Sequence, residues 1–302
     1  MIDVAVMIEG QHGLNWPRWH RLAQTVEAAG YAGLYSSDHL TTQDGPKFDS
    51  LELWSALTWL ASHTERIEFG PLVSPVSFRD PVITAWTACA VDDLSGGRLR
   101  LGIGAGWQER EHQVFGFDLP TLDDRFARFA EGLEVITKLL RSDEPVSFNG
   151  RFYQLEEAQL LPRPTRPGGP PVVIGGNGPN RTLPLAARFA DEWNAVGTTA
   201  TGFAELNAQL DGLITAEGRQ PGEVRRTLMT RVITGDTQAE IAQRAGGQSV
   251  AELEERGALI GDGLAIAAKI RELEEAGVQR VMLQWLELDD LAGIEALAKA
   301  VC

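Results

Sequence analysis

The sequence is short of cysteine and of positive charge, and both shortages exclude classes of protein. Its 302 residues include two cysteines, Cys89 in an apolar run and Cys302 at the last position. They do not make the disulfide framework of a small secreted protein, so a reduced, cytoplasmic protein is the simplest prediction. Lys and Arg number 27 against 42 Asp and Glu, which gives a net charge of −15. This balance excludes a nucleic-acid binder and disfavours attachment to anionic lipid.

Long apolar runs and clustered histidines are missing as well. No stretch approaches the roughly 20 apolar residues of a membrane span. The first residues carry Asp3 inside their apolar stretch and no basic segment before it, which is not typical of a secretory signal. The five histidines, at positions 12, 20, 39, 63 and 112, show no metal-ligand spacing. We therefore expect no membrane span, no cleaved leader and no bound metal.

The sequence does contain a repeated alternation of short apolar runs with longer helical patterns. The predicted strands cover residues 2–8, 33–36, 66–73, 98–104, 172–175, 192–196, 227–234 and 280–286. The predicted helices cover residues 16–29, 50–63, 81–94, 123–140, 181–190, 202–218, 264–276 and 289–301. Eight strand–helix units predict an α/β protein, a parallel (β/α)8 or TIM barrel. A doubly wound sheet is the weaker alternative, because residues 9–13 lack its glycine fingerprint.

Two stretches interrupt this alternation. Residues 142–171 are rich in proline and glycine, and strand-like segments flank Asn149-Gly150 as in a hairpin. Residues 237–262 add helical character between the seventh predicted strand and the next helix. Because the alternation resumes after each, we predict one domain over residues 1–302 with two insertions. We expect the insertions to cover the mouth of the barrel and to determine specificity.

Candidate catalytic residues follow the predicted strands, since a barrel of this type builds its site at their carboxyl ends. Asp38 and His39 end the second strand, and an imidazole exchanges protons near neutral pH. Glu9 and Glu109, after the first and fourth strands, are secondary candidates. The alternative is a histidine that only caps a loop.

Two glycine-rich segments are candidates for binding a cofactor. Residues 175–181 precede a helix, where backbone N–H groups, the helix dipole and Arg181 favour an anion. A tight turn that merely starts the helix is the alternative. Residues 102–107, which include Gly106 and Trp107, leave room for a flat ring at a strand end. The four arginines 151, 163, 166 and 181 further predict a locally positive rim, with Arg166 and Arg181 as its test residues.

Together these motifs resemble the luciferase-like monooxygenase superfamily, and in particular its branch that uses the deazaflavin coenzyme F420. The matching segments are Ser37-Asp38-His39 and residues 72–81, 94–98 and 102–107. The resemblance implies that Asp38 and His39 lie near the ring and the substrate. It also implies a cis peptide within Pro71-Leu72-Val73, behind the ring. The implied phosphate clamp consists of Gly176, Asn177, Gly178, Asn180 and Arg181.

The resemblance implies an F420-dependent oxidoreductase, in which His39 orients or protonates the reacting group of a small organic substrate. An FMN-dependent monooxygenase served by a flavin reductase is the first alternative, and a catalytically silent flavin-binding barrel is the second. A homodimer is implied as well. Trp107 stands where sugar-phosphate relatives have a carboxylate, and Gln108, Glu109 and Glu111 do not align cleanly with it. A sugar-phosphate substrate is therefore disfavoured.

Overall fold

Twelve strands and eleven helices follow one another along residues 2–45 and 47–302, the part of the chain that the computed structural model describes. The strands are β1 (Asp3–Ile8), β2 (Gly33–Ser36), β3 (Glu68–Pro71), β4 (Ser74–Pro75), β5 (Leu101–Gly104), β6 (Val146–Asn149), β7 (Gln154–Ala158), β8 (Val172–Gly175), β9 (Glu192–Val196), β10 (Arg225–Thr234), β11 (Leu259–Gly261) and β12 (Arg280–Trp285). The helices are α1 (Trp16–Ala29), α2 (Leu53–His63), α3 (Pro81–Leu94), α4 (Glu109–Phe115), α5 (Leu122–Arg141), α6 (Thr182–Phe189), α7 (Ala200–Ala216), α8 (Gln238–Arg244), α9 (Val250–Glu255), α10 (Gly263–Glu275) and α11 (Leu291–Val301).

Eight strand positions, all parallel, form the barrel. Around the ring they are β1, β2, the pair β3 and β4, β5, β8, β9, β10 and β12, which returns to β1. The third position is divided, because β3 pairs with β2 whereas β4 pairs with β5. A bridge between Phe69 and Leu99 joins the two halves of the ring. The predicted (β/α)8 barrel is confirmed, but its third strand is two short segments instead of one continuous run over residues 66–73.

Glycines allow the third and fourth strand positions to approach each other closely. A Cβ atom added to Gly102 would lie 2.0 Å from the carbonyl oxygen of Pro71, and one on Gly70 would lie 1.9 Å from that of Arg100. Any side chain at these two positions would therefore push the backbones apart. The peptide between Leu72 and Val73, in the same region, is cis, as the resemblance implied.

Two apolar layers surround the strands. The larger core lies between barrel and helices and includes Trp19, Phe129 and Trp193, all fully buried. A smaller core fills the inside of the barrel and consists of Ala5, Met7, Tyr35, Leu72, Val173 and Met282. Burial of this much apolar surface is the main favourable contribution to the free energy of folding. The inner layer also closes the barrel beneath any ligand that binds at the carboxyl ends of the strands.

A buried polar cluster closes the amino end of the barrel below this layer. Arg280 donates hydrogen bonds to Tyr35 Oη at 2.6 Å and to Asp3 Oδ2 at 3.3 Å, and it pairs with Glu68. Burial alone raises the pKa of Glu68, but hydrogen bonds and charge from Arg100 and Arg280 outweigh it and lower that pKa to about 2. Glu68 is therefore ionised, and each charge in the cluster is compensated within the barrel.

The two predicted insertions contain regular structure. β6 and β7 form an antiparallel hairpin, but its turn covers residues 150–153, where Gly150 N–H donates to the Tyr153 carbonyl. The second insertion holds α8, α9 and β11, and β11 extends the sheet at the carboxyl end of β10. Neither β11 nor α4 is among the elements predicted from the sequence. Both are short, and β11 has only three residues, too few to show a period.

The cysteines and the helices bear on the expectations of a reduced protein and of no membrane span. Cys89 is buried and Cys302 is exposed, and both are free thiols. Within the described ranges, none of the helices has the length and apolar character that crossing a bilayer requires.

Candidate active site

A cavity of about 730 Å³ opens at the carboxyl ends of the barrel strands. Every strand position of the ring contributes to its wall, which is the location that the barrel rule predicts. Seven of the predicted site residues line it: Glu9, His39, Leu72, Val73, Gly106, Trp107 and Gly176. Seven others are absent from the described lining: Asp38, Pro71, Glu109, Asn177, Gly178, Asn180 and Arg181. The volume lies within the range of ordinary small-molecule sites.

His39 and Glu111 form a hydrogen-bonded pair in the wall of this cavity. Nδ1 of His39 lies 3.0 Å from Oε1 of Glu111, and the backbone N–H of Leu40 donates to Oε2 at 3.1 Å. The side chains are 14% and 1% exposed. Burial alone lowers the pKa of His39, but the hydrogen bond and charge of Glu111 outweigh it and raise that pKa above its ordinary value. Glu111 thus fixes both the orientation and the protonation of the imidazole.

Trp107 lies beside this pair. Its indole meets the imidazole of His39 edge-on, with the ring centroids 5.4 Å apart and an interplanar angle of 87°. The indole is nevertheless largely exposed at the cavity mouth. Trp107 therefore limits the movement of His39 on one side and forms part of the entrance on the other.

Asp38, the neighbour of His39, takes part in a buried ion pair. Its carboxylate accepts two hydrogen bonds from Arg79, at 2.7 and 3.0 Å, and one from Ser74 Oγ at 2.6 Å. Burial alone lowers the pKa of Arg79, but Asp38 outweighs it and raises that pKa. These contacts hold the segment that carries His39 against the start of α3. The prediction that Asp38 is catalytic remains a prediction.

Glu9 and Glu109, the secondary candidates, are placed very differently. Glu9 lines the cavity, where its carboxylate accepts hydrogen bonds from Gln11 at 2.9 Å and Gln284 at 2.6 Å. Glu109 is exposed in the first turn of α4. The contact with His39 comes from Glu111, two residues further on.

The missed role of Glu111 has a signal in the sequence. Gln108, Glu111 and His112 are the buried residues at the start of α4, with the three- and four-residue spacing of one helix face. Gln108 donates to the Thr41 carbonyl at 2.7 Å, and His112 lies 2.8 Å from Ser77 Oγ. A helix assigned to residues 109–115 would have placed Glu111, instead of Glu109, on the inward face.

A slot without protruding side chains runs along the wall formed by β5 and β8. Gly104, Ala105, Gly106, Gly175 and Gly176 line it. Gly106 has φ +83°, and a Cβ there would lie 2.2 Å from Ser77 Oγ; a Cβ on Gly104 would lie 2.5 Å from a methyl group of Val73. Such a wall accommodates a flat ring system, which larger side chains would obstruct.

Two buried polar atoms at the cavity have no hydrogen-bond partner within the described chain. Asn194 donates from Nδ2 to Thr227 Oγ1 at 2.9 Å, which leaves its Oδ1 unpaired. Arg125 donates to the carbonyls of Gly106 and Pro120, both at 3.2 Å, but its Nε is unpaired. Buried polar atoms are rarely left unsatisfied. A ligand with an N–H group and an anionic group would satisfy both atoms, so these residues fit a flavin or deazaflavin with a phosphate.

The predicted clamp is a well-formed turn, but most of its polar groups bond within the protein. The side chain of Asn177 accepts from the Val196 N–H at 2.8 Å and donates to its carbonyl at 2.6 Å. The N–H groups of Thr182 and Leu183 donate to the Gly178 carbonyl. Arg181 pairs with Asp123 at 2.6 Å. The guanidinium that lines the cavity near the glycine slot is that of Arg125. Arg125 is not among the site residues predicted from the sequence.

The predicted positive rim is wrong. Arg166 pairs with Asp92 at 3.1 Å, in the last turn of α3 and therefore at the amino end of the barrel. Arg151 and Arg163 also pair with carboxylates, at 2.6 and 3.2 Å. Arg151 and Arg181 pair with the neighbouring residues Asp124 and Asp123 at the start of α5. Arg163 and Arg166 pair elsewhere, with carboxylates that follow α5 or lie in the last turn of α3, so the four arginines do not form one rim.

The cavity mouth is also formed by other segments than expected. Of the described lining residues, none belongs to 142–171 or 237–262. The outer wall comes from Thr42, Gln43 and Asp44 after β2 and from Leu122, Arg125 and Phe126 at the start of α5. In the same described ranges, no three His, Cys, Asp or Glu side chains are grouped as a metal ion would require.

Comparison with known proteins agrees with this geometry. The profile of the luciferase-like monooxygenase family matches residues 4–252, and the chain belongs to that family. Over 284 residues it is 29% identical to an F420-dependent glucose-6-phosphate dehydrogenase of Kineococcus radiotolerans, covering 91% of this chain and 80% of that protein. It is 25% identical to an FMNH2-dependent dimethylsulfone monooxygenase of Pseudomonas fluorescens, covering 76% of this chain and 60% of that protein.

Two further comparisons concern length and fold. A 4-hydroxyprotoasukamycin monooxygenase of Streptomyces nodosus subsp. asukaensis is 33% identical over 61% of this chain, which spans only 47% of that protein. An F420-dependent secondary alcohol dehydrogenase, solved with an F420-acetone adduct, superposes with a TM-score of 0.85 at 18% identity, over 100% of this chain and 99% of that chain. These relatives are named as dehydrogenases and monooxygenases, which supports an enzyme of the oxidoreductase class.

Proposed function

We propose that the enzyme is an F420-dependent oxidoreductase that transfers a hydride between C5 of the deazaflavin and a small organic substrate. The observation that carries the proposal is that the glycine-lined slot and the His39–Glu111 pair share one cavity. The relative from Kineococcus radiotolerans, named for F420, supports this choice of cofactor.

The residues of the slot would hold the cofactor. Gly104, Gly106 and Gly176 would face the ring, with Leu72 and Val73 behind it. Oδ1 of Asn194 would accept a hydrogen bond from a ring N–H, and Arg125 would neutralise the phosphate. The contributions of Asn177, Gly178, Asn180 and Arg181 remain predictions, as does that of Pro71.

When bound, the deazaflavin supplies the hydride chemistry at C5. The protein orients the substrate, excludes water and holds a proton. Because Glu111 occupies Nδ1 of His39, Nε2 is the nitrogen that can exchange a proton with the reacting oxygen of a substrate. Glu111 raises the pKa of His39 against the opposing effect of burial, which favours the protonated form. Glu9, held by Gln11 and Gln284, lines the same cavity and is the second candidate for proton exchange.

An FMN-dependent monooxygenase, supplied with reduced flavin by a partner reductase, is the second candidate function. The slot and Arg125 suit the ring and phosphate of FMN equally well, and one relative is named for FMNH2. What favours F420 is the His39–Glu111 pair in the cavity wall, since a dehydrogenase needs a proton donor or acceptor at the reacting oxygen.

A fluorescence titration with F420 and a parallel one with FMN test the proposal, each on wild type and His39→Asn. We expect both proteins to bind F420, and we expect turnover of F420 to fall about 10²–10⁴-fold in the variant, the usual contribution of a general acid or base. Absence of F420 binding, or of F420 turnover with any substrate offered, contradicts the proposal. FMN binding with oxygen uptake establishes the alternative.

We further propose that the chain forms a homodimer through the outer surface of α1, α2 and α3. Ile83 and Trp86 are exposed on α3, and Trp16 is exposed at the start of α1. Apolar side chains grouped on a surface are typical of contacts with another protein chain. A cytoplasmic location also remains a prediction, which the two free thiols support.

A further inference from the structure

Across the cavity from the third strand position, β10 carries an arginine that the proposed hydride transfer does not use. Arg231 lines the cavity together with Met229, two residues earlier on the same face of the strand. β10 is four positions round the ring from β3 and β4. In register, Arg231 is opposite Gln284 of β12, whose side chain holds Glu9. Arg231 is therefore on the wall far from the predicted ring, where a substrate would extend.

The guanidinium of Arg231 has little compensation within the protein. It donates one hydrogen bond, from Nη2 to the Arg244 carbonyl at 3.2 Å, and it forms no ion pair with any described residue. Burial lowers the pKa of Arg231, and the charge of Glu287 opposes this only in part. Arg244, its neighbour, is by contrast paired with Asp290 at 3.0 Å and lies 3.8 Å from Glu287. A partly buried cation without a partner is costly to maintain, and an anionic ligand reduces that cost.

The space around Arg231 is suited to a small anion. A pocket of about 50 Å³ adjoins the large cavity here, and Arg231, Arg244, Trp285 and Glu287 are among its lining residues. Arg231 and Leu286 line both spaces. Glu9 and Glu287 are the acidic groups nearby, and the first is already held by two glutamines. Because the carboxylates of Glu9 and Glu287 are also in the vicinity, a monoanion is better matched to Arg231 than a dianionic phosphate.

We propose that Arg231 binds a carboxylate of the substrate, so that the substrate class is small organic acids with a separate reacting group near His39. The planar fork of an arginine matches the two oxygens of a carboxylate. That the reacting group undergoes hydride transfer rests on the proposed function. The binding of a carboxylate does not.

The test measures binding in the absence of any cofactor. Isothermal titration with the series from butyrate to octanoate, and with the matching primary amides, is performed on wild type, Arg231→Gln, Arg231→Lys and the control Arg271→Gln, which changes an exposed arginine of α10. In wild type we expect at least one acid to bind better than its amide. In Arg231→Gln this preference should fall about tenfold or more, which corresponds to one charged hydrogen-bonding interaction. Arg231→Lys should retain part of it, and Arg271→Gln should retain all of it.

The outcomes separate the two proposals. Equal binding of every acid and its amide in wild type overturns the carboxylate site, and so does an unchanged preference in Arg231→Gln. The F420 titration is repeated on Arg231→Gln, and normal cofactor binding there shows that the variant is folded. If wild type prefers the acids but does not bind F420, the carboxylate site stands and the proposed cofactor fails.

Discussion

Among the carboxylates that raise the pKa of His39, the buried Glu111 contributes most, so Glu111→Gln should change the pH dependence of this enzyme. The pKa of His39 is raised by Glu111, and removing that charge lowers it. We expect the alkaline limb of the activity profile to move to lower pH. An NMR titration of the imidazole, assigned with His39→Asn, measures the pKa directly. Glu109→Gln, an exposed carboxylate on the same helix, is the matched control and should leave the pKa of His39 in place.

The same pair contributes to stability with a defined sign. A histidine whose pKa is raised on folding stabilises the native state fully below its unfolded pKa, near 6.5, and loses this contribution as the pH rises through the folded pKa. The free energy of unfolding of wild type should therefore exceed that of Glu111→Gln by more at pH 6 than at pH 9. An equal difference at both pH values would contradict the raised pKa.

Asp38 and His39 are adjacent in sequence, yet their substitution should have different effects. Asp38→Asn breaks a buried ion pair with Arg79 and should cost about 3 kcal/mol of unfolding free energy. His39→Asn should mainly reduce turnover. Chemical denaturation and kinetic measurements on the two variants, at a temperature where both are folded, distinguish a structural role from a catalytic one. If Asp38→Asn retains full stability but loses turnover as His39→Asn does, Asp38 is itself catalytic.

From the sequence, the position of the site in the fold could be predicted better than the contacts between its side chains. Glu9 and His39 follow strands, and the barrel rule places such residues at the cavity. Glu111 and Arg125 were missed as functional residues because their roles depend on helices, whose inward faces are fixed only when α4 and α5 pack. Arg166 was misplaced for the opposite reason, since neighbours in sequence were assumed to be neighbours in space.

At the scale of elements, the close approach of β3 and β5 depends on glycine. Gly102→Ala would place a Cβ 2.0 Å from the Pro71 carbonyl oxygen, and we expect it to cost about 3 kcal/mol or more of unfolding free energy. Gly212→Ala is the matched control in α7, where nothing lies within 4 Å of the added atom. That change should stabilise the protein by about 0.5–1 kcal/mol, since alanine favours a helix interior. Denaturation of both variants tests whether the loss of unfolding free energy comes from the close approach of the strands and not from the loss of a glycine in itself.

The elements that were predicted and those that were missed differ in length and packing. All eight barrel strands were located because buried strands between amphipathic helices produce a strong, repeated pattern. β4 and β11 have two and three residues, and their pairing partners lie far along the chain. Their existence is a property of the assembled sheet. The hairpin β6–β7 was predicted, although its turn is shifted by the local contacts of residues 150–153.

For the whole molecule, the proposed dimer gives a direct prediction. Ile83 is 63% and Trp86 39% exposed, and both lie on α3. The double variant Ile83→Asp and Trp86→Asp should be monomeric in sedimentation velocity at micromolar concentration, where wild type should be a dimer. Leu264→Asp, on α10 and 78% exposed, is the control and should remain dimeric. A monomeric wild type would exclude the proposed dimer. Dissociation of the Leu264→Asp control alone would place the interface elsewhere.

The closed base of the barrel also affects the kinetics of the whole enzyme. Met7, Tyr35 and Met282 fill the interior below the cavity, and the Arg280 cluster lies beneath them. Cofactor and substrate therefore share the entrance beside Trp107, and the ligand seated deeper must enter first and leave last. Initial-rate measurements should follow a compulsory order, in which the product released last competes with the ligand that binds first, while the other product competes with neither ligand. The apolar layer that fills the barrel interior thus determines the order in which cofactor and substrate bind and leave at the carboxyl end.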